Sequence, residues 1–160
     1  MTTVMVTGVG AIIGYGILRS LRKADESIRL VGTDIYSDAV GQEWANDFRV
    51  APYTSDKNYL TWLERTIREC EVDLLIPGIE QDLHFYSLHH ERIKSFGVTV
   101  VLNRPELVEV TKDKWLTHQT LKDWNSPVRI NSLLDGNFDG LSQKLGLPFL
   151  LKPRRGYASK

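Results

Sequence analysis

Over roughly the first hundred residues, short runs rich in Val, Ile and Leu alternate with segments whose apolar residues recur at helical spacing. The runs fall at 4–7, 30–33, 74–77 and 98–102, and a further short one at 48–51 is bracketed by Asp47 and Pro52. They are nearly continuous in apolar residues rather than alternating with polar ones, which is the pattern of strands buried on both faces of a parallel sheet. Between them, 13–22, 59–70 and 82–96 read as amphipathic helices, with Leu60, Leu63 and Ile67 on one face. Each helix would cross over between parallel strands, so the pattern predicts an α/β fold built on a Rossmann-like, doubly wound parallel sheet.

After Asn103-Arg104-Pro105 the rhythm changes. Thr111-Lys112-Asp113-Lys114 reads as a helix start, with Thr111 or Asp113 as its cap and an end near Trp124. Residues 125–137 are rich in Asn, Ser, Pro, Asp and Gly and read as turns around a short strand at 128–130. A helix over 138–145, closed by Gly146, precedes an apolar strand at 148–153 and a basic loop at 154–160. The expected division is a Rossmann-like domain over 1–110 and the start of a second domain over 111–160.

Lys plus Arg and Asp plus Glu balance at 20 each, so no global field draws the chain onto nucleic acid or an anionic membrane, and any anion site must be local. No apolar stretch is long enough to span a bilayer, and the N-terminus lacks the pattern of a secretory signal, so the expected location is cytoplasmic. The single cysteine, Cys70, has no His and acid partners in evidence and reads as a packing thiol.

Thr7-Gly8-Val9-Gly10-Ala11-Ile12-Ile13-Gly14 joins the first strand to the first helix, where glycines permit a tight turn and close approach of a ligand, an anion among them. The spacing misses the dinucleotide pattern at its third glycine, since Gly14 arrives one residue late. Gly8, Ala11 and Gly14 also suit the turn of extended short-chain dehydrogenases, with Asp34 where a ribose-binding acid would sit. A nicotinamide-dependent oxidoreductase therefore stands as an alternative, weakened because no Tyr-x-x-x-Lys pair occurs at a suitable place. Glycines kept for strand-to-helix packing alone, and a non-catalytic nucleotide-binding module, are further readings.

Leu150-Leu151-Lys152-Pro153 runs into Arg154-Arg155-Gly156-Tyr157-Ala158-Ser159-Lys160. A lysine ending a buried strand needs a partner, because an unpaired ammonium is costly to desolvate, and a nucleotide phosphate would provide one. The small residues that follow can bring backbone N–H groups to phosphates, and Arg154 and Arg155 add positive potential.

With these residues the chain resembles the ATP-grasp superfamily, in which a Leu-Lys-Pro or Val-Lys-Pro strand leads into a loop of glycine and serine. The resemblance implies that Lys152 contacts the α- and β-phosphates and that Arg155, Gly156, Tyr157, Ala158, Ser159 and Lys160 begin the flexible loop over the triphosphate. Thr111-Lys112-Asp113-Lys114-Trp115 resembles the superfamily's Asp-Lys approach to its first helix, which puts Lys114 in a nucleotide-contacting position. The first hundred residues resemble the pre-ATP-grasp domain of carbamoyl-phosphate synthase large-subunit-like proteins, and 111–160 the first elements of an ATP-grasp α+β subdomain. Within the former, Pro77-Gly78-Ile79-Glu80-Gln81-Asp82 resembles the strand-end loop whose acid faces the substrate cleft. Gly8, Gly10, Ala11, Gly14, Glu80 and Asp82 are thus candidate substrate contacts, with helix capping the other reading of Asp82.

The resemblance implies an ATP-dependent ligase: a carboxylate is phosphorylated, and an amine or similar nucleophile displaces phosphate from the acyl phosphate. Its cofactors would be ATP and Mg²⁺, and its partners ATP and a small carboxylate, with no nucleic acid or membrane, and with a homodimer allowed. The superfamily's metal ligands and adenine-binding hinge lie downstream of the lysine strand, so this polypeptide is expected to be a portion of a longer protein, inactive by itself and without a catalytic residue of its own.

Overall fold

All five residues of β1 (Thr3–Thr7) are buried, and β2 (Arg29–Asp34) is buried at every position after its first. Strands of this kind are stable only when paired on both edges and covered on both faces. In the computed structural model, which describes residues 1–127 and 132–156, they have that environment. With β3 (Asp47–Val50), β4 (Leu74–Ile76) and β5 (Thr99–Val100) they form one sheet of order β3-β2-β1-β4-β5. Every pairing is parallel, and Met5 sits opposite Val31 on one side and Leu75 on the other. This is the Rossmann-like, doubly wound α/β sheet that the hydrophobic pattern predicts.

The side-chain period of two divides the strands between two cores. Met5, Val31 and Leu75 point toward α2 (Tyr59–Glu69), α3 (Glu80–Leu88) and α4 (His90–Lys94), where they pack with Leu63, Ile67, Tyr86 and Ile93. Val4, Val6 and Leu30 point the other way, toward Leu18 of α1 (Ile12–Ala24) and Trp44 of a 3-10 turn over Val40–Trp44. Cys70 is buried in the first core, and burial pushes its thiol pKa up, which suits packing and not nucleophilic attack.

The chain divides into two compact units, Met1–Asn103 and Arg104–Lys160. The first holds the whole sheet. The second holds α5 (Pro105–Thr111), α6 (Lys114–Asp123) and α7 (Phe138–Leu145).

Several local expectations are corrected. The single helix expected over 82–96 is two, α3 and α4, because His89 leaves helical geometry at φ −105°, ψ 20°. Helix α3 starts at Glu80, so Asp82 lies in its first turn and is not its cap. Thr111 is not a helix start: it ends α5, its Oγ1 donating to the Leu107 carbonyl at 2.8 Å, and α5 itself begins on Pro105, whose missing N–H and fixed φ suit the first helical position. Residues 148–153 do not form a strand. Leu150 and Leu151 are 82% and 80% exposed, and among the described residues no strand runs beside them to complete a ladder. The strand expected at 128–130 falls outside the described residues.

Candidate functional site

In the strand order, β1 is followed by β2 and β3 on one side and by β4 on the other, so the direction of winding reverses between β1 and β4. Loops leaving the carboxyl ends of strands diverge at such a point and leave a crevice. Here the loops after β1, β2, β3 and β4 enclose a cavity of about 530 Å³, lined among others by Gly8, Gly10, Ala11, Asp34, Tyr53, Tyr59 and Asp82.

Three glycine positions make this crevice geometrically available. Gly8 turns the chain out of β1 at φ +61°, where a side chain would be strained and would meet Ile79. Gly14, inside α1, lies against the backbone of Thr7 and Gly8, and Gly78 lies against Gly14 and Thr7, so no Cβ fits at either contact. Gly14 is therefore a buried packing residue beneath the turn, and neither it nor Glu80, exposed on the first turn of α3, lines the cavity.

The chemistry of the cavity is acidic. Asp34 is 7% exposed; one of its oxygens accepts the Gly10 N–H at 2.7 Å and the other accepts the Tyr36 N–H at 3.0 Å. Asp82, equally buried, has its carboxyl pKa pushed up to about 6, chiefly by burial and further by the charge of Asp34, while a hydrogen bond from Thr7 opposes the rise. Behind Asp82, the Tyr59 and Tyr86 hydroxyls meet at 2.6 Å. Among the described residues no Lys, Arg or His lines the cavity, and the Gly10 N–H is already bound to Asp34. The Gly10 N–H of the glycine turn therefore serves to hold Asp34.

In the second unit the residues singled out by sequence converge on Asp113. Its side chain is fully buried and caps α6, Oδ1 accepting the N–H groups of Trp115 at 3.0 Å and Leu116 at 3.1 Å. Arg154 Nε donates to both oxygens, at 2.8 and 2.7 Å, and Arg155 Nε to Oδ2 at 3.3 Å. The Arg154 guanidinium, foremost, holds the Asp113 carboxyl well below the usual carboxylate range against the opposing effect of burial. Lys114 is joined to the same segment twice, its N–H donating to the Arg154 carbonyl at 3.0 Å and its Nζ to the Gly156 carbonyl at 3.3 Å. Lys152 is exposed. Tyr157, Ala158, Ser159 and Lys160 lie outside the described residues.

Sequence reasoning assigned Asp113 only a cap. Its pairing with two arginines forty residues away leaves no local signature and is legible only in the folded chain. Among the described residues no three His, Cys, Asp or Glu side chains gather as a metal site.

None of the curated proteins compared matches the chain. Among solved structures, it is similar to N5-carboxyaminoimidazole synthetase from Staphylococcus aureus, with a TM-score of 0.68 and 21% identity over 97% of this chain and 39% of that one. It is also similar to N5-carboxyaminoimidazole ribonucleotide synthetase from Thermotoga maritima, with a TM-score of 0.62 and 16% identity over 98% of this chain and 39% of that one. A third is the biotin carboxylase domain of the 2-oxoglutarate carboxylase from Hydrogenobacter thermophilus, in complex with MgADP, ADP and bicarbonate, at a TM-score of 0.61 and 18% identity over 97% and 35%. The chain thus spans well under half of these structures, and the likeness is one of fold. The family model for the N-terminal domain of PylC-like proteins matches residues 4–101, most of the chain, and this protein therefore belongs to that family.

Proposed function

We propose that the chain is the N-terminal part of an ATP-dependent ligase of the ATP-grasp type, in which a carboxylate is activated as an acyl phosphate and passed to an amine or similar nucleophile, as in carbamoyl-phosphate synthase-like proteins. The observation that carries this reading is the meeting of Lys114 with the basic segment, Nζ to the Gly156 carbonyl at 3.3 Å. Two stretches singled out independently by sequence come together in one place. There Lys114 and Lys152 would neutralise phosphate charge, and the residues from Arg155 to Lys160 would lie along the triphosphate. The fold relatives crystallised with ADP or MgADP support a nucleotide at such a site.

In the first unit, Gly8, Gly10, Ala11 and Asp82 would face the acceptor substrate. The acid-lined cavity without a cation suits the amine end of such a substrate better than its carboxylate. Gly14 supports the turn from beneath. A nicotinamide reading would rely on Asp34 for the ribose, and each oxygen of that residue already accepts a backbone N–H.

The test is a thermal-shift titration of the full-length protein with Mg-ATP and with NADH, alongside Lys114→Ala and Lys152→Ala. A Mg-ATP shift weakened tenfold or more in concentration dependence by either substitution, without response to NADH, is expected. An NADH shift without a Mg-ATP shift would overturn the reading in favour of the glycine turn and Asp34.

A further inference from the structure

Capping a helix requires one acceptor oxygen. Asp113 has that role through Oδ1, yet the same carboxylate takes three further N–H contacts from Arg154 and Arg155 while its side chain is wholly buried. Lys114, the next residue, adds two hydrogen bonds to the segment that carries those arginines. Five hydrogen bonds thus fix 113–114 against 154–156. The arginines are half-exposed or more, so water could solvate them unaided; what is buried is the acid between them. A carboxylate in this position stands firm only while both cations face it.

Resting on the ATP reading above, we propose that Asp113 is a positioning residue for nucleotide phosphate. It sets the register of the segment 152–156 against Lys114, and it draws Arg154 and Arg155 onto itself, so that the lysines are left as the cations that meet phosphate. An Arg–carboxylate pair with Nε bridging both oxygens gives geometric definition that a lysine in the same place would not.

Asp113→Asn separates this from plain capping. Asn caps as well as Asp, so α6 keeps its start, but the amide has no charge and only one acceptor oxygen for the arginines. Arg154→Met removes the partner and leaves the cap. In the full-length protein without nucleotide, amide exchange read by NMR is expected to speed up at least tenfold at Lys114 in both variants, with the melting temperature of Asp113→Asn within a few degrees of the parent and that of Arg154→Met lower. ATP affinity by calorimetry should fall at least fivefold in each, and the double variant should be no worse than either single one. Unchanged exchange at Lys114 would overturn the proposal. So would ATP affinity that is unchanged or tighter in Asp113→Asn, the latter meaning that Asp113 masks arginines that bind phosphate themselves. These failures concern Asp113 alone provided that the parent binds ATP and Lys152→Ala weakens it; a parent that does not bind ATP at all overturns the ligase reading and the phosphate role of Asp113 together.

Discussion

Gly14 and Gly16 stand two residues apart in α1 and look alike in sequence, but the fold treats them oppositely. A Cβ at Gly16 would meet nothing within 4 Å, whereas one at Gly14 would collide with the backbone of Gly8 and Thr7. Gly16→Ala should therefore stabilise the protein by about 0.5–1 kcal/mol through helix propensity. Gly14→Ala should lose about 2 kcal/mol or more, since the groups it strikes are main chain and cannot swing away. Urea unfolding of the two variants checks this, and equal effects would mean that the close contact beneath the turn is wrong. Asp82 offers a pH test. Its native pKa of about 6 lies above the usual value for an unfolded aspartate, so between roughly pH 4 and 6 the native state holds a proton that the unfolded chain has released. Stability attached to this group is complete below that window and is lost as pH rises through it. Asp82→Asn should be more stable than the parent at pH 7, by about 2–3 kcal/mol from a shift of two units, and the gain should disappear near pH 4. A gain of the same size at both pH values would show that burial of the charge is not its cause.

Among the elements, those that continuous apolar runs define were legible in advance. β1, β2 and β4 could be read because both of their faces are buried, and α7 because Gly146 closes it. The crevice at the strand ends follows from the strand order, which is set by the folded sheet and not by any one run of residues. Elements whose form depends on distant partners were not. α5 hid behind Asn103-Arg104-Pro105, where punctuating residues read as a loop and Pro105 in fact begins the helix. The apolar segment at 148–153 carries strand propensity, but a strand is a relation between two segments, and Leu150 and Leu151 stay exposed. The role of Asp113 lay in contacts across forty residues. The tie between α2 and α3 belongs to the same class. Tyr59 and Tyr86 are buried in different helices, their hydroxyls 2.6 Å apart, and Tyr86 also shares a hydrogen bond with Thr7 of β1. Tyr59→Phe leaves the Tyr86 hydroxyl partnered by Thr7 and should cost about 1 kcal/mol. Tyr86→Phe leaves the buried Tyr59 hydroxyl short of its partner and breaks the link to Thr7, which keeps Asp82 and the Gly78 N–H, and should cost more, about 2 kcal/mol. The reverse order in chemical denaturation would show that the pair, and not the link to β1, carries the joint.

At the scale of the whole molecule, stability is unevenly held. The unit Met1–Asn103 contains both cores, with Met5, Val6, Val9, Leu18, Leu30, Leu63, Leu75 and Ile93 entirely out of water. In the unit Arg104–Lys160, Val108 and Leu141 are the buried apolar residues among those described, while Phe138, Leu147, Leu150 and Leu151 are 64–82% exposed. Since burial of apolar surface is the main favourable term in folding, the first unit should fold on the strength of its own interior. A chain of residues 1–103 is therefore expected to unfold cooperatively in urea, with a midpoint close to that of the corresponding transition in the longer chain. Native-state hydrogen exchange should show the same asymmetry, slowest for the amides of β1 and β2 and faster for those of α6 and α7. One local exception is expected in the second unit. Lys114 and its neighbours should exchange more slowly than the rest of their unit, because Asp113 and Arg154 hold them while little apolar packing does. A 1–103 chain without a cooperative transition would mean that the sheet depends on the second unit, and uniform exchange across residues 104–156 would mean that the carboxylate and its arginines do not outlast their surroundings.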